Sequence, residues 1–165
     1  MAAAHARRRS AAMDIVVFDI GHIRCGLDIL EVQEITRIHA YTPVRGAPSY
    51  VRGLVNMRGQ IITLIDVRQR FGLPPLEERG ALFSIIVPVE AEMVGLLVDS
   101  VGDVLRADAE AIRPPPSNLH GAEGYFFHAV VEMSEGLIAL VEGERLARRG
   151  VDSSAGRAGG DGISS

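Results

Sequence analysis

The sequence Gly-Leu-Val-Asn-Met-Arg-Gly-Gln-Ile-Ile-Thr-Leu-Ile-Asp-Val occupies residues 53 to 67, and its two apolar runs flank Arg58-Gly59-Gln60. Because glycine accepts positive φ angles, a tight turn at Gly59 predicts a β-hairpin. The second run is rich in β-branched residues and too continuous for a strand with one apolar face, so it predicts a strand covered on both faces. Arg58 is then expected at the hairpin tip, either as a contact residue or as an ordinary solvated turn residue.

Composition limits the classes of protein that this chain can belong to. Its 165 residues are 47% hydrophobic, which is enough for one domain or for two small subdomains that share a core. A net charge of -4 and the absence of Trp argue against a nucleic-acid partner. The single cysteine, Cys25, excludes an internal disulfide and indicates a reducing compartment, so we expect a cytoplasmic protein. No apolar run reaches the ~20 residues of a membrane helix, and we expect no direct membrane insertion.

Short strands separated by Gly and Pro turns extend in both directions from the hairpin. They are predicted at residues 15–20, 23–27, 36–38, 82–89, 93–98, 101–105 (with a bulge at Gly102), 125–133 and 137–141. Short helical turns are predicted before residue 36 and at 48–50, 67–71 and 144–149. Residues 113–124, with three consecutive prolines, are expected to be an irregular linker.

This succession of strands indicates an all-β fold in which helix is minor. Two apolar-rich halves, residues 14–67 and 82–141, predict two β-barrels without a detectable repeat. We expect residues 1–12 to form a flexible leader and residues 148–165 a flexible tail, with one folded region at 13–147.

A search for catalytic chemistry finds only weak candidates. Cys25 lies in a predicted strand near His22, where a small buried thiol is commoner than a nucleophile. Asp66 and Asp99 each follow an apolar strand and are expected to cap turns rather than to form an acid–base pair. The histidines lack the spacing of a metal site, and no Gly-rich phosphate loop follows a strand. The sequence therefore predicts no catalytic residue, no cofactor and no metal.

Several separated motifs, in order, resemble the CheW family of chemotaxis coupling proteins. They are Val32-Gln33-Glu34-Ile35, Thr42-Pro43, Ala47-Pro48, Val51-Arg52-Gly53, Asn56-Met57-Arg58-Gly59, Ile65-Asp66-Val67-Arg68, Val94 to Val101, Asp103-Val104-Leu105 and Ile112-Arg113-Pro114. The resemblance spans about residues 14 to 147, and ordered motifs are far more specific than any one of them.

The resemblance implies two packed, five-stranded, SH3-like β-barrel subdomains with short helical turns. It implies a non-catalytic adaptor that couples the cytoplasmic tips of chemoreceptors to the regulatory domain of a CheA-type histidine kinase in signalling arrays. The family's receptor-contact positions fall on Val32, Glu34, Gly53 and Arg58, with a salt bridge expected between Glu34 and Arg58.

A second class of function stays open at this point, because SH3-like barrels and oligonucleotide-binding barrels cannot be distinguished by strand count. The alternative is a β-barrel module that binds nucleic acid or a small ligand. Such a binder normally carries aromatic residues interleaved with Lys and Arg, whereas aromatic residues make up only 5% of this chain.

Overall fold

The computed structural model describes residues 12–116 and 122–148. The strands are β1 Met13–Ile20, β2 Ile23–Asp28, β3 Glu34–Ile38, β4 Val51–Met57, β5 Gln60–Asp66, β6 Leu82–Val89, β7 Glu92–Val98, β8 Ser100–Ala107, β9 Ile112–Arg113, β10 Phe127–Met133 and β11 Gly136–Val141. The helices are α1 Val67–Arg70, α2 Ala122–Phe126 and α3 Gly143–Ala147, with 3-10 turns at Ile29–Glu31 and Ala109–Ala111. The all-β prediction with minor helix is confirmed.

The strands form two sheets. The first has six strands in the order β8-β1-β2-β11-β10-β9, and the second has five in the order β3-β6-β7-β5-β4. The sixth strand of the first sheet is the two-residue β9, which pairs with β10 and was not expected. In the second sheet an isolated bridge between Thr42 and Leu54 connects the segment after β3 to β4, as in a closing barrel.

The assignment of one barrel to each half of the sequence is wrong. The chain begins in the first sheet with β1 and β2, builds the whole second sheet with β3 to β7, and then returns to the first sheet with β8 to β11. A parallel pairing between β2 and β11 joins the two ends of the folded region. Apolar patterning reveals strands but carries no information about such long-range pairing, so a division at the middle of the chain assigns several strands to the wrong sheet.

The central hairpin forms as the sequence predicts. β4 and β5 pair in antiparallel register from Val51–Ile65 to Met57–Gln60, and Arg58-Gly59 is the two-residue turn. Both turn residues have positive φ, 53° at Arg58 and 83° at Gly59, as in the type I′ turns that match the twist of a hairpin. The Asn56 side chain accepts a hydrogen bond from the Gly59 N–H at 3.0 Å and closes the turn.

A large apolar cluster lies between the two sheets. It joins Phe18, Cys25 and Leu27 of the first sheet to Ile65 and Leu96 of the second, all nearly fully buried. Each sheet also encloses a cluster of its own, and Ile62 and Leu64 belong to the one inside the second sheet. Adjacent residues of β5 therefore enter different clusters, which confirms that most of this strand is covered on both faces.

Several local expectations need correction. Tyr125 and Phe126 belong to α2 rather than to the strand that follows, so the predicted linker ends in a helix. Residues 48–50 form a turn, closed by the Val51 N–H donating to Pro48 O at 2.9 Å, rather than a helical turn. The bulge at Gly102 is confirmed, since the β1–β8 register shifts opposite Val17. The leader, the tail and His120 lie outside the described residues, apart from residues 12 and 148 at the boundaries.

Candidate functional site

Glu34 and Arg58 meet at one end of the second sheet. Glu34 is the first residue of β3, and Arg58 lies at the tip of the β4–β5 hairpin. The Arg58 guanidinium donates to Glu34 Oε1 and forms the predicted salt bridge. The Arg58 side chain remains 72% exposed, against 31% for Glu34. The more buried carboxylate therefore orients a guanidinium that stays accessible to solvent. A guanidinium has five N–H donors, and most of them stay available for a partner.

Gly53 lies in β4 where no side chain fits. A Cβ atom at this position would overlap the carbonyl oxygen of Thr42 and lie 2.6 Å from Tyr41 Cδ2. The same contact is the site of the bridge between Thr42 and Leu54, whose two backbone hydrogen bonds measure 2.8 and 2.9 Å. Gly53 therefore acts through the backbone, by allowing the segment after β3 to pack directly on the hairpin.

Val32 lies where the chain first passes from one sheet to the other. It follows the 3-10 turn Ile29–Glu31, and its N–H donates to Ile29 O at 3.1 Å. Its partly buried side chain packs against the cluster between the sheets. Val32 thus anchors the crossover that delivers Glu34 to its position beside Arg58.

Exposed apolar side chains accompany the salt bridge. Ile35 follows Glu34 directly and is 43% exposed, and Ile61, two residues after the turn glycine, is 57% exposed. In strand register both belong to the face of the second sheet that packs on the first, because Ile35 pairs with buried Ile85 and Ile61 alternates with buried Ile65. The apolar face between the sheets therefore extends, through exposed Ile35 and Ile61, to the end of the second sheet where Glu34 and Arg58 lie.

Arg52 forms a second, more buried ion pair at the base of the hairpin. The register shift between Val51 and Gly53 makes Arg52 the extra residue of a bulge. Its guanidinium donates to Asp66 Oδ2 at 2.8 Å, to Glu78 Oε2 at 2.9 Å and to Leu76 O at 2.6 Å. Asp66 is almost fully buried and also accepts from the Leu76 N–H at 2.9 Å and from the Gln69 N–H. Asp66 caps α1, as predicted. Arg52 holds the loop after α1, which contains Leu76 and Glu78, against the hairpin.

Arg70, at the end of α1, is the buried cation of the described structure. Its guanidinium donates to Leu146 O at 2.8 Å and to Arg145 O at 3.0 Å, at the end of α3. Its guanidinium carbon also lies 4.2 Å from the centre of the Tyr50 ring, just before β4. Sequence reasoning missed both Arg52 and Arg70, because an arginine that bonds distant backbone carbonyls has no local sequence signal.

The residues considered as catalytic candidates, Cys25, Asp66 and Asp99, are buried or engaged in hydrogen bonds. Burial raises the pKa of the Cys25 thiol far above its usual value, and the carboxylates of Asp19 and Asp99 add to the shift. Asp99 accepts from the Gly21 N–H at 2.9 Å and from Arg68 at 2.6 Å, which fixes the second crossover between the sheets. Within residues 12–116 and 122–148, no group of three or more His, Cys, Asp or Glu side chains could hold a metal ion. In the same ranges, no helix is long and apolar enough to span a membrane.

Comparison with known proteins identifies the family. The model of the CheW-like domain matches residues 14–150, which is most of the chain. This chain belongs to the CheW family. It is 31% identical over 133 residues to the probable chemotaxis protein CheW of Rhizobium etli, a match that covers 81% of this chain and 86% of that protein. It is 30% identical over 137 residues to the CheW of Klebsiella aerogenes, covering 83% of this chain and 82% of that protein.

The fold agrees with this assignment. The crystal structure of the scaffolding protein TtCheW from Thermoanaerobacter tengcongensis superposes with a TM-score of 0.75 at 29% identity, covering 84% of this chain and 94% of that one. The CheW-like domain thus includes both sheets, the central hairpin and the Glu34–Arg58 pair. The family resemblance of the sequence is confirmed, and the chain is a chemotaxis scaffold of CheW type.

Proposed function

We propose that this CheW-family chain is a non-catalytic adaptor that couples the cytoplasmic tips of chemoreceptors to the regulatory domain of a CheA-type histidine kinase. Its place of action would be the cytoplasm, at membrane-associated receptor arrays. The observation that carries the proposal is the exposed Arg58 guanidinium, oriented by Glu34 and flanked by exposed Ile35 and Ile61. Arginine beside apolar side chains is the composition of an interface centre.

The receptor contact is assigned to the Arg58 end of the second sheet, with Val32, Glu34, Gly53 and Arg58 as its residues. Arg58 and Glu34 would contact the receptor directly. Val32 and Gly53 would shape the surface, since one anchors the crossover and the other allows close packing of backbone on the hairpin. A nucleic-acid surface has less support: the chain carries a net charge of -4, and apolar Ile35 and Ile61 accompany Arg58, although Arg37 on β3 also stacks on the Phe83 ring.

A double-mutant cycle tests this assignment. Arg58→Ala, Glu34→Ala and the double variant are titrated by calorimetry against a chemoreceptor cytoplasmic fragment and, separately, against a kinase regulatory domain. Each single variant should weaken receptor binding by about 2 kcal/mol, or roughly thirtyfold, because truncation of a central interface arginine costs that much. The double variant should lose less than the sum, because one shared interaction is removed.

Kinase binding and melting temperature serve as the controls. An exposed salt bridge contributes only ~0 to 1 kcal/mol to stability, so the melting temperature should barely change. Unchanged receptor affinity in folded Arg58→Ala would make this residue an ordinary solvated turn residue. Equal losses toward both partners would show that the substitution disturbs the fold instead.

A further inference from the structure

Arg37 on β3 is an exposed cation that forms no ion pair with any of the described residues. Nine other arginines of the described ranges pair with an Asp or Glu side chain. Arg37 lies over an aromatic ring instead, with its guanidinium carbon 5.0 Å from the centre of the Phe83 ring. Such a contact fixes the direction of the side chain, and the N–H donors that the ring does not meet stay available for an oxygen acceptor.

The strand register places Arg37 on the same face of β3 as Ile35. Ile35 pairs with Ile85 and Arg37 with Phe83, and the residues between them alternate to the other face. Ile85 is buried in the cluster between the sheets, and Phe83 packs against that cluster. Ile35 and Arg37 are therefore exposed at the margin of the face between the sheets, about 7 Å apart along the strand.

The strand that carries Arg37 also carries part of the proposed receptor contact. β3 is the outermost strand in the order of the second sheet, and it begins with Glu34 and Ile35. A partner segment that lies against Ile35 is therefore close enough to contact Arg37 as well. The acceptor that a guanidinium binds most strongly is a carboxylate, through two parallel N–H···O bonds.

We propose that Arg37 binds an Asp or Glu side chain of the receptor segment that lies against Ile35, and so helps to determine which receptor is bound. This inference rests on the proposed function, since it names the chemistry of that segment. The segment carries an apolar side chain against Ile35 and a carboxylate about 7 Å further along β3. Arg58 and Arg37 are then two separate cationic contacts, one oriented by Glu34 and the other by the Phe83 ring.

A purely structural role for Arg37 makes a different prediction. The aliphatic part of an arginine side chain can cover apolar surface, and here it would only shield the Phe83 ring. Arg37→Met distinguishes the two roles, because methionine keeps an unbranched side chain over the ring but removes the charge. A role in shielding alone leaves receptor affinity unchanged, whereas a receptor contact loses affinity without loss of stability.

The test is a calorimetric titration of the full chain with a chemoreceptor cytoplasmic fragment. Arg37→Met should weaken receptor binding about tenfold with a nearly unchanged melting temperature, because a charge-assisted contact is lost. Arg37→Glu should weaken it further, because reversal adds repulsion to the loss of attraction. Arg45→Met is the matched control, since Arg45 is exposed before β4 and also forms no ion pair with any of the described residues. It should bind as the unsubstituted chain does.

Receptor-fragment variants then identify the partner carboxylate. Each Asp or Glu of the fragment's tip is changed to Lys, and one variant should restore binding to Arg37→Glu. Wild-type affinity in folded Arg37→Met, an equal loss in Arg45→Met, or rescue by no fragment variant would overturn the inference.

The same titrations separate this inference from the proposed function. A loss seen only toward the kinase regulatory domain, or only in self-association of the chain, would assign Arg37 to another partner and overturn the receptor contact. If Arg58→Ala weakens receptor binding while Arg37→Met does not, the proposed receptor site stands and the role of Arg37 fails. If neither substitution matters, the proposed receptor site fails as well.

Discussion

Arg58 has a backbone conformation that its residue type does not favour. A φ of 53° in a type I′ turn is the usual place of Asn or Gly, and a non-glycine residue held in the left-handed region costs of order 1 kcal/mol or more. The conformation persists because the hairpin register and the Glu34 salt bridge fix it. A conflict between local preference and residue choice at an exposed position indicates a requirement other than folding.

Arg58→Asn should therefore separate stability from function. Asn-Gly is the preferred type I′ pair, so the free energy of unfolding should stay unchanged or rise by up to about 1 kcal/mol despite the lost surface ion pair. Receptor binding should fall as in Arg58→Ala, because the guanidinium is absent. Urea melts and calorimetry of the same preparation measure both quantities. A clear loss of stability would show that Arg58 serves the fold, and intact binding would remove its contact role.

At the scale of elements, sequence reasoning succeeded wherever the signal was local. Gly59 predicted the turn, the β-branched run predicted a doubly covered strand, and Gly102 predicted a bulge, because each depends on neighbours in the chain. It failed for α2, where Tyr125 and Phe126 have strand-like composition but end a helix. The cause is tertiary: Phe126 is fully buried and lies 5.6 Å, centre to centre, from the Phe71 ring.

Helix α3 illustrates how distant residues decide whether an element is stable. A five-residue helix is far too short to form by itself, so its last carbonyl groups need partners from outside. Arg70, in α1 after β5 of the second sheet, donates to the carbonyl groups of Leu146 and Arg145. At the other end of the helix, Gly143 packs against Val87 and its N–H donates to the Glu31 carboxylate at 3.2 Å. The helix is thus fastened at both ends by side chains more than 50 residues away in sequence.

Arg70→Met should destabilise the protein by about 3 kcal/mol, because it keeps much of the side-chain volume but leaves buried carbonyl groups without charge-assisted donors. For a domain of this size, that loss lowers the melting temperature by about 10 °C. Arg106→Met is the control, since within the described ranges Arg106 forms only an exposed pair with Asp14 and its substitution should change stability by less than about 1 kcal/mol. Equal melting temperatures for the two variants would show that the hydrogen bonds from Arg70 to α3 do not stabilise the fold.

At the scale of the whole molecule, the second subdomain is an insertion within the first. Residues 34–98 supply every strand of the second sheet, while the first sheet combines residues 13–28 with 100–141. The two crossovers contain Val32 and Glu34, which belong to the proposed receptor contact, and Asp99, which is hydrogen-bonded to Gly21. The motif order of the family could be read from the sequence, but this nesting could not, because it is established only by pairings such as β2 with β11.

The shared apolar cluster makes the two sheets one folding unit, although a single continuous segment of the chain builds the whole second sheet. In an isolated fragment of residues 34–98, the six strand side chains that the second sheet contributes to the shared cluster would lose the first sheet: Ile65, Ile85, Val87, Val94, Leu96 and Val98. Full burial of each contributes about 1.5 to 3 kcal/mol, so exposure of all six costs about 9 to 18 kcal/mol, which equals or exceeds the entire stability of a typical domain. The fragment is therefore expected to be unfolded, although it contains all five strands of its sheet.

The corresponding expectation for the full chain is a single cooperative transition. Urea unfolding followed by far-ultraviolet circular dichroism should coincide with unfolding followed by a probe in each sheet, for example Tyr125 and Tyr41 ring signals in NMR spectra. Tyr125 precedes β10 of the first sheet, and Tyr41 contacts the hairpin of the second. Two separate midpoints, or native-like dispersion in the 34–98 fragment, would mean that the sheets are independent and that the shared cluster contributes less than its burial indicates.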